Sequence, residues 1–371
     1  MQTKISFVLA ASISAAALNA AIAPDQAWAV ECTNGGAGAT PAGDDGGFAT
    51  STACGEGADA SGLATAGDPA NTAFGSNAIA SGDSGFNTAI GSNVNANGAE
   101  SGNVAIGSAV DASGDNSSNN AVGATANASG TGSLNQAYGV SSDARGDGSE
   151  NLAIGDNNDA SGDDSNNIAI GTQSDASGEN SVNLATGFFA TASGTTSGNI
   201  AAGNNATANG DLSNNIALGG VSFASGDGSL NTALGALANA SGVNSSNPAT
   251  GRGSNASGDD ARNVATGVLA NATGDGGSNL ASGDQANASG AGSQNIATGF
   301  LADANGIASQ NTATGSVLTP AAMAARTVHT ALTPTPAATT ASTLQPAIWP
   351  PRAGRAAVIS QPATTPRLTA I

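Results

Sequence analysis

Aromatic residues make up 3% of this 371-residue chain and charged residues 9%, so two usual sources of tertiary specificity are scarce. Two Trp, one Tyr and eight Phe are too few for a conventional core of interlocked large side chains. Lysine occurs once, at Lys4, and histidine once, at His329. Acid–base or nucleophilic catalysis needs His, Lys, Cys or paired acids gathered in a pocket, so an enzyme is not expected. No P-loop or Rossmann fingerprint is present and no clustered ligand set is evident, so neither a cofactor nor a metal is expected. The balance of 8 basic against 27 acidic residues gives a net charge of −19, which repels nucleic acid and anionic lipid.

The one long apolar run, Ile5 to Ala23, follows the basic Lys4 and precedes the small-x-small site Ala27-Trp28-Ala29. Residues 1–29 therefore read as a secretory signal, with no transmembrane helix expected in the mature chain. The two cysteines, Cys32 and Cys54, lie just beyond that site. In an exported chain they read as one disulfide, worth about 3 kcal/mol in the chain-entropy model. It would close an N-terminal cap over residues 30–70.

What the chain has in abundance is a beat. Asn-x-Ala-x-Gly recurs sixteen times at a spacing of 16, from Asn71-Thr72-Ala73-Phe74-Gly75 to Asn311-Thr312-Ala313-Thr314-Gly315. A second constant element, Ala-x-Gly, runs between the copies from Ala80-Ser81-Gly82 to Ala304-Asn305-Gly306. A strict short period means one structural unit stacked on itself. Sixteen residues are too few for a helix pair and suit one coil of a parallel β-solenoid, with extended segments near positions 2–4 and 8–10 of a repeat counted from its Asn. Coils spaced ~4.8 Å apart give a rod on the order of 75 Å long.

The positions sort by type. Ala at 3 and 10 and Gly at 5 and 12 are constant, and these small residues are expected inside the coil: Ala73, Ala105, Ala112, Ala169 and Ala176, with Gly107 and Gly114. The Asn of position 1 suits side-chain amide bonding from coil to coil. Acids recur at position 13, as in Asp115, Asp147 and Asp163, where they suit turns better than calcium. Positions 2 and 4 vary, with Val104/Ile106, Leu152/Ile154, Ile168/Ile170 and Ile216/Leu218 beside Thr72/Phe74 and Gln136/Tyr138. Such variety fits an outward stripe buried against identical chains, although a roomier coil with position 4 inside is the alternative.

The unit Asn-Val-Ala-Ile-Gly-x-x-x-x-Ala-Ser-Gly-Asp at 103–115, and its repetition at 167–179, resembles the head repeats of trimeric autotransporter adhesins, the YadA-like heads. The family repeat usually opens with Ser and spans 14 residues; here Asn leads and the turn after the second Gly is two residues longer. The resemblance covers 71–315 and, more loosely, a degenerate coil at 53–62. It implies a left-handed β-roll, a homotrimer, and display at a bacterial surface with attachment to extracellular matrix, host cells or other surfaces. In some members the Val-Ala-Ile-Gly stretch is tied to collagen, which would point to Val104 to Gly107, Leu152 to Gly155 and Ile168 to Gly171.

Residues 316–371 depart from the family. They carry eight of the twelve prolines, four Arg and no acid, without the heptads of a stalk or the alternating strands of a membrane anchor. They read as a disordered tail, which leaves open a truncated or frameshifted adhesin fragment without display. A rival reading is an ice-interacting or other structural solenoid, since ice-nucleating proteins also use a 16-residue period. Threonine is only sporadic at positions 2 and 4.

Overall fold

A computed structural model describes residues 50–62, 70–317, 326–330 and 358–361. The expected signal at 1–29, Cys32 and most of the tail lie outside the described residues. Seventeen short strands, from β1 (Thr52–Cys54) through β2 (Thr72–Phe74), β4 (Val104–Ser108) and β8 (Ile168–Thr172) to β17 (Gln310–Thr314), stack in one parallel sheet. The described residues contain no helix. The chain is an all-β parallel solenoid of about sixteen turns, as the period predicts.

Each strand pairs with its neighbour at an offset of 16, for example Val104↔Asn120 and Ile168↔Leu184. Identical positions therefore stack into columns along the rod, and every side-chain environment is repeated coil after coil. β1 pairs with β2 at an offset of 20, so the degenerate coil joins the stack through a longer connection. The second expected segment, at 8–10, narrows to one residue: position 9 alone forms the bridge, as in Asp159↔Asp175.

The interior is one small side chain wide. Ala73, Ala105, Ala112, Ala169 and Ala176 are fully buried, as is the Ala of positions 3 and 10 throughout. Position 15, usually Ser, and position 8 complete the lining, and Val94 and Val110 are its largest buried aliphatic side chains. Gly107 and Gly114 are required by close approach. A Cβ on Gly107 would strike the carbonyl of Gly123, and one on Gly114 that of Gly130. Both also hold φ values, 140° and 147°, that L side chains rarely adopt.

With so little apolar bulk, hydrogen bonds carry the register. The buried Asn of position 1 clamps three successive coils. In Asn167, Nδ2 donates to Ser161 O at 3.2 Å and Gly178 O at 2.8 Å, while Oδ1 accepts from Asn183 N at 3.0 Å. The expected amide ladder thus runs mainly through the backbone N–H of the next Asn, which places the polar group without an exposed edge. The ladder ends at Asn311, whose Oδ1 is buried and unpaired.

Glycine supplies the positive φ at positions 5 and 12, but not at most of the tighter corners. Positions 7 and 14 take φ near 50–60° with Asn77, Asn157 and Asp164, and also with Phe189, Val221 and Leu237. Past Gly315, two further short strands join the sheet among the described residues. β18 (Arg326–Thr330) pairs with β17, Gln310 opposite Arg326, and β19 (Val358–Gln361) pairs with β18. The open edge of the last coil offers unpaired backbone groups, and β-branched Thr327, Val328 and Thr330 suit that template.

Candidate functional site

A rod of stacked coils has no single cleft, so its functional surfaces are its faces. Odd positions 1 and 3 of the strand point inward and even positions 2 and 4 point out, as the alternation of a strand requires. The stripe residues Val104, Ile106, Leu152, Ile168, Ile170 and Ile216 are half-buried, and Ile154 and Leu218 are exposed. Their half-burial comes from stacking on the coils above and below. Positions 2 and 4 hold no charged residue in any of the sixteen repeats.

The opposite face is mainly polar, interrupted by exposed Ile79 and Phe223 in column 9 and Val243 and Ile307 in column 13. In column 9 the carboxylate or amide oxygen accepts from the residue two ahead: Ser161 N and Oγ both donate to Asp159 Oδ1, at 2.9 and 2.6 Å. The same bracket recurs at Asp111/Ser113 and Asn239/Ser241. Asp and Asn interchange there because only an acceptor is needed. Column 13 acids act along the axis: Thr131 N donates to Asp147 Oδ1 at 2.7 Å, and Asp147 N to Asp163 Oδ1 at 2.9 Å. Their role is to tie turns together, and no group of three metal-binding side chains occurs among the described residues.

Between columns 9 and 13 the glycines of position 12 leave a shallow polar groove parallel to the axis. One stretch of 460 Å³ is bordered by Arg145, Asp147, Asp163 and Glu179. Arg145 forms an ion pair with Asp143 at 3.4 Å. Burial raises the Asp143 carboxyl above its ordinary value, the backbone N–H and charge of Arg145 oppose this, and Asp159 adds to it.

A third surface escapes the repeat motif. At positions 6 and 7 of the later coils, Phe188, Phe189, Val221, Leu237, Leu269, Phe300 and Leu301 stand exposed at the corner. Phe188 and Phe189 meet edge to face at 4.2 Å between ring centroids. A signal does exist in the sequence, because these residues lie at two fixed offsets from Asn, but only seven of the sixteen repeats carry it.

Cys54 closes β1 at the first coil, while Cys32 lies outside the described residues, so their pairing is not described. No described helix is long and apolar enough to cross a membrane. No family model matches the chain, and no curated protein matches it significantly.

Proposed function

We propose that this chain is the head of a bacterial cell-surface adhesin, exported, assembled as a homotrimer, and attaching through a repeated surface to extracellular matrix or other host or abiotic surfaces. The observation that carries this reading is the segregation of the rod into a charge-free strand face and an acidic opposite face. A chain of net charge −19 can associate with copies of itself only through a surface that carries little charge. Columns 2 and 4 offer such a surface along the whole rod, and oligomeric burial relieves the exposure of Ile154 and Leu218.

The polar faces then remain outward, and many equivalent coils supply avidity rather than one tight site. The absence of His and Lys from the repeats favours binding over catalysis. A disulfide between Cys32 and Cys54 would hold the first coil against fraying. The test is binding of the full chain to immobilised collagen, fibronectin and laminin, beside a variant lacking residues 151–182. That deletion removes two whole coils and keeps the register. Saturable binding weakened by the deletion supports the reading. No binding to any of the three, with thermal hysteresis in its place, would favour the ice-interacting alternative. That alternative is less well supported because serine hydroxyls of column 11 are engaged by column 9.

A further inference from the structure

The apolar stripe does not run straight. In the first seven repeats column 4 is Phe74, Ile90, Ile106, Val122, Tyr138, Ile154 and Ile170, whereas column 7 is small or polar. From the eighth repeat the pattern passes to the corner. In six of the nine later repeats column 7 is Phe189, Val221, Leu237, Leu269, Leu301 or Val317, the others being Asn205, Gly253 and Gln285, while column 4 keeps a large apolar residue only at Leu218 and Leu234 and is otherwise Thr, Ala or Ser. Column 2 is mostly polar in the first five repeats, with Thr72, Thr88, Asn120 and Gln136, and mostly apolar from Leu152 onward, and Phe188 and Phe189 mark the crossing.

The corner placement is unfavourable in an isolated rod for two separate reasons. Leu237, Leu269 and Phe189 are 58%, 53% and 42% exposed, and their backbones take the left-handed φ values 60°, 56° and 53°. Asn or Gly adopts that conformation far more readily, and other coils use Asn77, Asn157 and Gly253 there. Bulky apolar side chains gain from such a position only if something covers them.

We infer that the stripe is a slanted self-interface: copies of this chain pack parallel but cross each other's faces, meeting at column 4 in the early coils and at column 7 in the late ones. This rests on the homo-oligomeric reading above. The occupant must be as long as the rod, because the stripe runs from Phe74 to Val317, and a second copy has that length. The interface must also be tolerated by a strongly acidic chain, and columns 2, 4 and 7 hold no charge in the repeats. Eleven side chains of columns 2, 4 and 7 count among the exposed large hydrophobics. Together they present on the order of 1,000 Å², above the ~800 Å² per partner of a standard interface. Three residues of lateral shift over the rod amount to a slant on the order of 10°. A drifting apolar stripe implies supercoiling of the partners, as it does in helical assemblies.

The test uses four single-cysteine additions to the full chain, each oxidised and compared with the parent for inter-chain disulfides. Ile106→Cys and Leu269→Cys are expected to cross-link at least tenfold more than Ala109→Cys and Thr266→Cys, their counterparts in column 7 early and column 4 late. Equal yields at all four, a reversed pattern, or no cross-link in an assembled protein would overturn the slant while leaving oligomerisation intact. A mass in solution of one chain would instead overturn the self-interface itself.

Discussion

The Oδ1 of Asn167 accepts the backbone N–H of Asn183, one coil further along the rod, at 3.0 Å. The same side chain gives both of its N–H groups to carbonyls of Ser161 and Gly178, so one amide satisfies three coils. A carboxylate of identical shape keeps the acceptor and loses both donors. Asn167→Asp is therefore expected to destabilise by about 3 kcal/mol or more, since two buried carbonyls lose their partner and face a buried charge. Denaturant unfolding checks this; an unchanged midpoint would contradict the clamp.

Ala169 lies between Ala153 and Ala185 in the stack and has no exposed surface. Coils above and below confine it, so Ala169→Leu cannot be absorbed by a neighbouring cavity. We expect a loss of at least about 1–3 kcal/mol from overpacking. Thermal unfolding followed by circular dichroism measures it, and a melting curve matching the parent would refute the narrow interior.

Asp143 makes stability depend on pH. Folding raises its carboxyl, chiefly through burial, so the folded state holds that proton more tightly than the unfolded state does. Its favourable contribution is present below the ordinary carboxyl value and is lost as pH rises through the raised one. Asp143→Asn keeps an acceptor for Arg145 N, which donates at 3.2 Å, and removes the ionisation. The variant is expected to melt close to the parent near pH ~3 and above it near pH ~7. A variant less stable than the parent at the higher pH would show that the Arg145 pairing outweighs burial.

How much of this fold is legible in the sequence depends on what a period can encode. Phase alone identifies the small constant residues, so Ala105 and Gly107 point directly to a tight coil. Facing in a strand is set by alternation, and the variety at Ile106, Tyr138 and Thr250 favours outward. Hydrogen-bond partners are less accessible: an Asn column is equally compatible with amide-to-amide bonding, and the axial rise is what brings the N–H of Asn183 to Asn167 instead. The corner residues Leu237 and Leu269 are hidden because left-handed positions are usually signalled by Gly and Asn. β18 is invisible to the motif, since Arg326–Thr330 keeps the offset of 16 without its Asn, Ala or Gly.

The strand face offers a direct mutational handle. Ile106→Asp with Ile170→Asp places two charges on a surface that has none and leaves the interior untouched. In an assembly each buried, unpaired charge is strongly destabilising, so the double variant is expected to dissociate to single chains with its β-sheet circular dichroism unchanged. An assembly of unaltered size would exclude this face from the interface.

The mass of the full chain in solution, by sedimentation or light scattering, tests the central claim most directly. The account predicts an assembly of three times the chain mass, each chain of 371 residues being 34.8 kDa. A single chain, stable and undimerised at micromolar concentration, would contradict it.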